Sequence, residues 1–279
     1  MAAPIVRGTA AWRYFGDFRA SVLAGQVLVL QVAHPVVAAG VRDHSGYQAD
    51  PWTRLLRTAG SLAIYVYGDP VGARYEADRL WELHKRFTGV DAEGRRYHAL
   101  DPHAYAWVHA TLVMQAVDTQ RFFGRPLSRA ELDEYYAQLR EVGRRLGLRE
   151  RHLPPDWPAF ERYYAAMVTS FGPNETISTL FETIRTVAKP VRALPDRLWL
   201  PLRTRQYELQ MFLIAATLPP VLRERLGLRW TARRQRRFER LCCALRVLGA
   251  MVPVPLRSAH VRGVGKLNVW LRRRRGLHA

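Results

Sequence analysis

Apolar residues return at intervals of three and four through almost the whole of this chain, and no stretch alternates apolar with polar between Asn-Gly or Asp-Gly turns. That periodicity restricts the fold class to all-α. The helices it predicts run roughly over 9–33, 51–67, 70–88, 101–123, 128–146, 157–171, 174–188, 197–217, 231–249 and 256–274. Several starts carry their own chemistry. Asp50-Pro51 and Asp69-Pro70 put a carboxylate acceptor ahead of a proline, whose missing N–H costs nothing in a first helical turn; Ser128-x-x-Glu131 reads as a reciprocal capping box. Prolines from Pro154 to Pro255 punctuate the second half, the connections are short, and no internal repeat is visible. The expectation is one helical domain over 1–279, with its core over about 10–260 and a basic C-terminal helix and tail over 261–279.

With 279 residues and 48% hydrophobic content the chain can fill a core, which excludes global disorder. Its net charge of +19 attracts anions, yet all but three of the 43 basic residues are arginine, a skew that GC-rich coding produces without selection. Charge alone therefore assigns no partner. The patches Arg233-Arg-Gln-Arg-Arg237, Arg240 and Arg272–Arg275 suit phosphates, but no helix-turn-helix, RNA-recognition or zinc-finger pattern accompanies them, so nucleic acid is not the expected partner. Trp270 followed by Leu271 and four arginines suits peripheral contact with an anionic membrane. Cys242 and Cys243 are adjacent and form no disulfide framework, and Met1–Arg7 lacks the features of a secretion signal. Val22–Val41 is interrupted by Gln26, Gln31, His34 and Pro35, so it reads as a buried helix ending near Pro35 rather than a transmembrane span. A cytoplasmic location is expected.

The nine histidines show no HxxxH or HExxH pair, there is no CxxC, and the carboxylates do not recur as ExxH; structural zinc and di-iron sites are not expected. GxGxxG, GxxxxGK[ST] and GxSxG are absent as well. His84 stands out because Ala73, Ala77, Leu80, His84 and Phe87 recur on one helical face, while Arg74, Asp78, Glu82 and Lys85 lie elsewhere. A neutral imidazole in an apolar wall suits an axial haem ligand. It equally suits a core histidine bonded to a carbonyl, and the pattern by itself favours that simpler reading. Arg54, Thr58, Ser61 and Tyr65 share a stripe on the preceding helix, which either lines a polar pocket or is an ion-paired surface. His34 and His44 read as structural, with Asp43 capping the next turn.

Taken together, His34-Pro35, Asp43-His44-Ser45, Arg54-x-x-x-Thr58, Gly68-Asp69-Pro70 and Leu83-His84-Lys85-Arg86-Phe87-Thr88-Gly89 resemble one family. Tyr97-His98-Ala99-Leu100-Asp101-Pro102 and Trp107-Val108-His109-Ala110-Thr111 extend the match over about residues 10–260. The family is the catalytic domain shared by rubber oxygenases (latex-clearing proteins) and the MpaB oxygenase of mycophenolic acid synthesis. The resemblance implies a globin-like helical domain enclosing b-type haem, with His84 as iron ligand and Arg54 and Thr58 on the other side of the cofactor. It further implies that O2 is the co-substrate and that C=C bonds are cleaved. Arg54, Arg57 and Thr58 are then cofactor-binding: Arg54 polarises oxygen or pairs with a propionate, and Thr58 donates to a distal oxygen or water.

Two departures bear on the substrate. Arg57 stands where rubber oxygenases carry a lysine, and a guanidinium keeps its proton and cannot ligate iron. Val36–Gly40 holds no carboxylate where those enzymes carry a glutamate base, the nearest acid being Asp43. The expected substrate is accordingly a small apolar molecule, isoprenoid or otherwise unsaturated, that is cleaved or hydroxylated. The alternatives are a non-catalytic haem protein (gas sensor or haem carrier), which one proximal histidine serves equally, and a basic helical protein that binds nucleic acid or anionic membrane.

Overall fold

Side-chain caps set where the helices begin. In the computed structural model, which describes residues 5–46, 48, 50–191 and 194–274, the chain forms α1 (Ala10–Tyr14), α2 (Ala24–Ala33), α3 (Pro35–His44), α4 (Pro51–Tyr67) and α5 (Pro70–His84). A two-stranded hairpin follows, β1 (Thr88–Val90) and β2 (Arg96–His98). Then come α6 (Pro102–Phe123), α7 (Arg129–Arg145), α8 (Trp157–Ser170), α9 (Glu175–Thr186), α10 (Asp196–Thr217), α11 (Pro220–Arg225), α12 (Ala232–Met251), α13 (Val254–Arg257) and α14 (Ala259–Arg274). Asp50 accepts from the Thr53 N–H at 3.1 Å, Asp69 from Gly72 at 2.8 Å, and Ser128 and Glu131 cap each other's backbone at 3.3 and 2.9 Å. Each satisfies amide donors that a helix start leaves orphaned. Of the described residues, 75% are helical.

The core gathers around α6. Trp107, Ala110, Val113 and Ala116 form its buried stripe, met by Val29 and Leu30 of α2, Tyr135 and Leu139 of α7, and Phe160 and Tyr164 of α8. The Trp107 indole donates to the Leu30 carbonyl at 2.7 Å, and its ring packs on Tyr164 and Phe171 at 5.3 and 5.0 Å between centroids. Burying an aromatic of this size stabilises by about 2–3 kcal/mol, provided its N–H keeps a partner as here.

Five expectations are corrected. The helix predicted over 9–33 breaks after Tyr14, because Arg19 folds back onto the Asp17 carboxylate (Nε at 2.8 Å) and the Phe123 carbonyl, and Asp17 caps a 3-10 turn over Phe18–Leu23. Pro35 starts a helix instead of ending one: His34 is the cap between α2 and α3, which bend by 105° at this point. Among the described residues no single helix is long and apolar enough to cross a membrane. The helix predicted over 70–88 stops at His84, and the strands not foreseen pair Thr88 with His98 and Val90 with Arg96 around a loop closed by Asp91 and by Gly94 at φ +79°. The helix predicted over 256–274 is divided at Ser258. Asp43 does not cap; it pairs with Arg42 and accepts from the Tyr97 hydroxyl at 2.7 Å. The side chains of Leu271, Arg272 and Arg273, together with Arg275, lie outside the described residues, so the basic run expected to meet a membrane is not characterised.

α14 packs along α4 through small residues. A Cβ on Gly265 would lie 2.8 Å from the Ala63 Cβ, and one on Gly60 would collide with the Asn268 amide, whereas Gly263 faces open space. Gly265→Ala is expected to lower stability by about 1–2 kcal/mol through overpacking, while Gly263→Ala on the same helix raises it by about 0.5–1 kcal/mol. Urea unfolding of the two variants checks this; equal shifts would mean that α14 does not seat on α4 as described.

Candidate functional site

α4 and α5 are joined only by Gly68 and Asp69 and run back alongside each other. Ser61 of α4 donates to Glu76 of α5 at 2.5 Å, and Arg79 donates to both oxygens of Glu76 at 2.9 and 2.7 Å. Glu76 has no exposed surface, and these partners help to replace the water its charge has lost. Two turns away from this bond, Arg54 on α4 and His84 on α5 lie at the same end of the helix pair, and the guanidinium charge acts on the imidazole.

His84 closes α5. Its ring meets Phe87 and Tyr105 edge-on, each at 5.8 Å between centroids, and its Nδ1 is buried without a hydrogen-bond partner. Burial, reinforced by Arg79 and Arg54, pushes its pKa down to about 4, so the ring is neutral at pH 7. Burial also pushes the Tyr105 phenol up to about 12, which keeps it protonated. Buried polar atoms are nearly always satisfied, and an orphaned nitrogen on a neutral imidazole is the donor set a metal centre takes.

The other histidines separate from it by their partners. His109 is fully enclosed and pushed to about 4 by burial, but its Nε2 is 2.8 Å from the Leu139 carbonyl: a satisfied core histidine. His44 stacks on Phe87 at 4.6 Å and reaches the Thr88 carbonyl, and the His98 Nδ1 accepts from Leu100. His34 also has an orphaned buried Nδ1 and a pKa lowered by burial, but it sits at the α2–α3 bend against Phe171. No group of three His, Cys, Asp or Glu side chains arranged to hold a metal occurs among the described residues.

The stripe expected on α4 divides into two halves. Ser61 and Tyr65 are buried toward α5, while Arg54, Arg57 and Thr58 lie on its exposed first turns. Arg57 acts on Asp50, whose carboxyl the Thr53 hydrogen bonds chiefly hold below the usual range. Two clefts, of about 440 and 420 Å³, lie elsewhere, and neither is lined by His84, Arg54 or Thr58. Glu76, Arg79 and Tyr105 were not foreseen; the only trace of the first two is an acid on the Ala73–Ala77 face with an arginine three residues on.

The family described as ER-bound oxygenase mpaB/B′/rubber oxygenase, catalytic domain, matches residues 12–247. The chain belongs to this family. Two relatives of this chain, uncharacterized proteins of Mycobacterium bovis and Mycobacterium tuberculosis, are each 28% identical to it over 230 residues, covering 81% of this chain and 87% of theirs. No solved structure matches it. The matched region contains α4 and α5 entire and ends before α13 and α14.

Two outcomes follow from this geometry. The His84 ring of the protein without added haem is expected to titrate near pH 4 by NMR. Because that lies below its unfolded value of about 6.5, the unfolded chain takes up protons first as pH falls, and stability drops between these two values. His84→Gln should flatten the fall without abolishing it, since His109 contributes with the same sign; a ring titrating at 6.5 would refute the burial. Glu76→Ala is expected to cost about 2 kcal/mol in urea unfolding, less than a fully buried pair because the Arg79 side chain is 36% exposed.

Proposed function

We propose that this chain is a haem-b-dependent oxygenase that uses O2 to oxidise a small apolar substrate, isoprenoid or otherwise unsaturated, with His84 as the iron ligand. The observation that carries the reading is the neutral, aromatic-walled His84 with its orphaned Nδ1, on a helix inside the region that matches an oxygenase catalytic domain. Bound there, haem supplies a redox-active iron for dioxygen chemistry.

The chain's own residues provide the surroundings. Arg54 and Arg57 are permanent cations on the facing helix, a charge suited to a haem propionate. Arg54 orients polar oxygen by its fork of N–H donors, and the Thr58 hydroxyl, one turn on, supplies a second donor. Arg57 keeps its proton and offers no lone pair to a metal. Phe87 and Tyr105 exclude water from one side of His84, and the protonated Tyr105 phenol adds no charge. Leu55 and Leu56 on α4 and Trp81 and Leu83 on α5 are between 40% and 57% exposed, apolar surface on the two helices that suits an apolar substrate.

The test is an absorption spectrum of the purified protein with haemin, oxidised and dithionite-reduced, with a pyridine haemochrome assay. The expected result is a Soret band with about one b haem per chain, lost in His84→Ala. Arg54→Ala should keep haem and slow O2 consumption with unsaturated hydrocarbons by about tenfold or more. A protein that takes up no haemin, or a His84→Ala variant with an unchanged spectrum, would return His84 to the core-histidine reading. Full haem loading with no substrate-dependent O2 consumption would favour a sensor or carrier.

A further inference from the structure

A second polar site lies at the other end of α6. Tyr105, which walls His84, and Gln120, which lines this second site, are fifteen positions apart, about 22 Å along the helix. A cleft of about 420 Å³ opens there between α1, the end of α6 and the α12–α13 junction, and five of its lining side chains are arginine: Arg13, Arg19, Arg125, Arg246 and Arg257. Two of the five charges are spent inside the protein. Arg19, 2% exposed, is clasped by Asp17, and Arg125 donates to both oxygens of Glu131 at 2.7 and 2.8 Å.

The remaining three have no carboxylate. Among the described residues Arg13, Arg246 and Arg257 form no ion pair: Arg246 reaches only the Arg121 carbonyl at 3.5 Å and Arg257 the Val252 carbonyl at 3.0 Å. The Arg13 Nε is buried with no hydrogen-bond partner, beneath a guanidinium held 5.2 Å over the Tyr14 ring. An orphaned buried guanidine N–H is costly, and so is the mutual repulsion of three cations around one hollow. The floor is fixed as well, since Gly249 lets α12 press against the Arg19 guanidinium where any Cβ would collide.

We infer that this cleft binds a phosphate-bearing anion, a diphosphate or phosphomonoester group held by Arg13, Arg246 and Arg257. Three uncompensated guanidinium forks match a ligand with more than one negative charge and several acceptor oxygens better than a single carboxylate. Its volume exceeds that of the group alone and leaves room for the attached moiety. Val247, Leu248 and Met251, next in sequence to Arg246 and Ala250 of the cleft, are 58%, 47% and 76% exposed, which admits a lipid headgroup as well as a soluble phosphoester as the source of the phosphate. The inference is independent of haem at His84.

Calorimetric titration of the full chain with pyrophosphate, at constant ionic strength in chloride, tests it. One saturable site is expected, weakened about tenfold by Arg246→Gln, which lies on the surface of α12 and does not threaten the fold, and similarly by Arg13→Gln. Arg236→Gln, on the same helix outside the cleft, and His84→Ala should leave the affinity unchanged. Sedimentation with phosphatidic acid vesicles, against phosphatidylcholine alone, then identifies the source. Vesicle binding that pyrophosphate displaces and Arg246→Gln abolishes supports a headgroup; pyrophosphate binding without vesicle binding supports a soluble phosphoester. No saturable heat, or an equal loss in Arg236→Gln, overturns the site in favour of diffuse surface charge.

Discussion

A carboxylate with no access to water joins α4 to α5. There the Ser61 hydroxyl and the Arg79 guanidinium stand in for hydration of the Glu76 carboxylate, and leaving such a group unmatched costs several kcal/mol. The bond fixes the register of the two helices at one point. With about 1.5 Å of rise per residue, everything two turns away is then fixed too, and Arg54 and His84 are brought to the same end of the hairpin. Arg79 has a second effect: its charge, with that of Arg54, adds to burial in holding the His84 ring neutral.

How much of this the sequence discloses depends on the range of the interaction. Local signals were legible: Asp50-Pro51, Asp69-Pro70 and the Ser128–Glu131 box start helices where their chemistry says they must. The breaks were not, because their causes are distant. Nothing near Arg19 announces that the Phe123 carbonyl, 104 positions away, will accept its proton and pull the chain into a bend. His34-Pro35 is ambiguous for another reason, since a proline that ends one helix is equally suited to begin the next. The hairpin escaped notice because its Asp91 and Gly94 are separated by two residues, and the Asp-Gly signature of a tight turn is missing.

The site divides along the same line. His84, Arg54 and Thr58 carry motif and periodicity, and the family match covers all three. Glu76 and Arg79 read as one more solvated i, i+3 pair, of the kind Arg185 and Glu182 form on the surface of α9, and only burial tells the two pairs apart. His84 and His109 pose the same difficulty. Burial lowers both pKa values to about 4, and both stand on apolar helix faces. What separates them is one acceptor: the Leu139 carbonyl satisfies His109, while the buried Nδ1 of His84 has none.

Net charge yields to the same reasoning. The number of arginines is uninformative as a total, because many are paired locally: Arg42 with Asp43, Arg95 with Asp91, Arg129 with Asp133, Arg144 with Glu141. Exposed pairs of this kind contribute little to stability and nothing to recognition. The informative arginines are those whose neutralisation the fold omits. At the α12–α13 end, Arg13, Arg246 and Arg257 converge on a hollow floored by an already neutralised Arg19, an arrangement whose repulsion is relieved only by an anion from outside. α6 thus carries polar chemistry of different kinds at its two ends, a neutral imidazole walled by aromatics at one and unpaired cations at the other, with about 22 Å of helix between them.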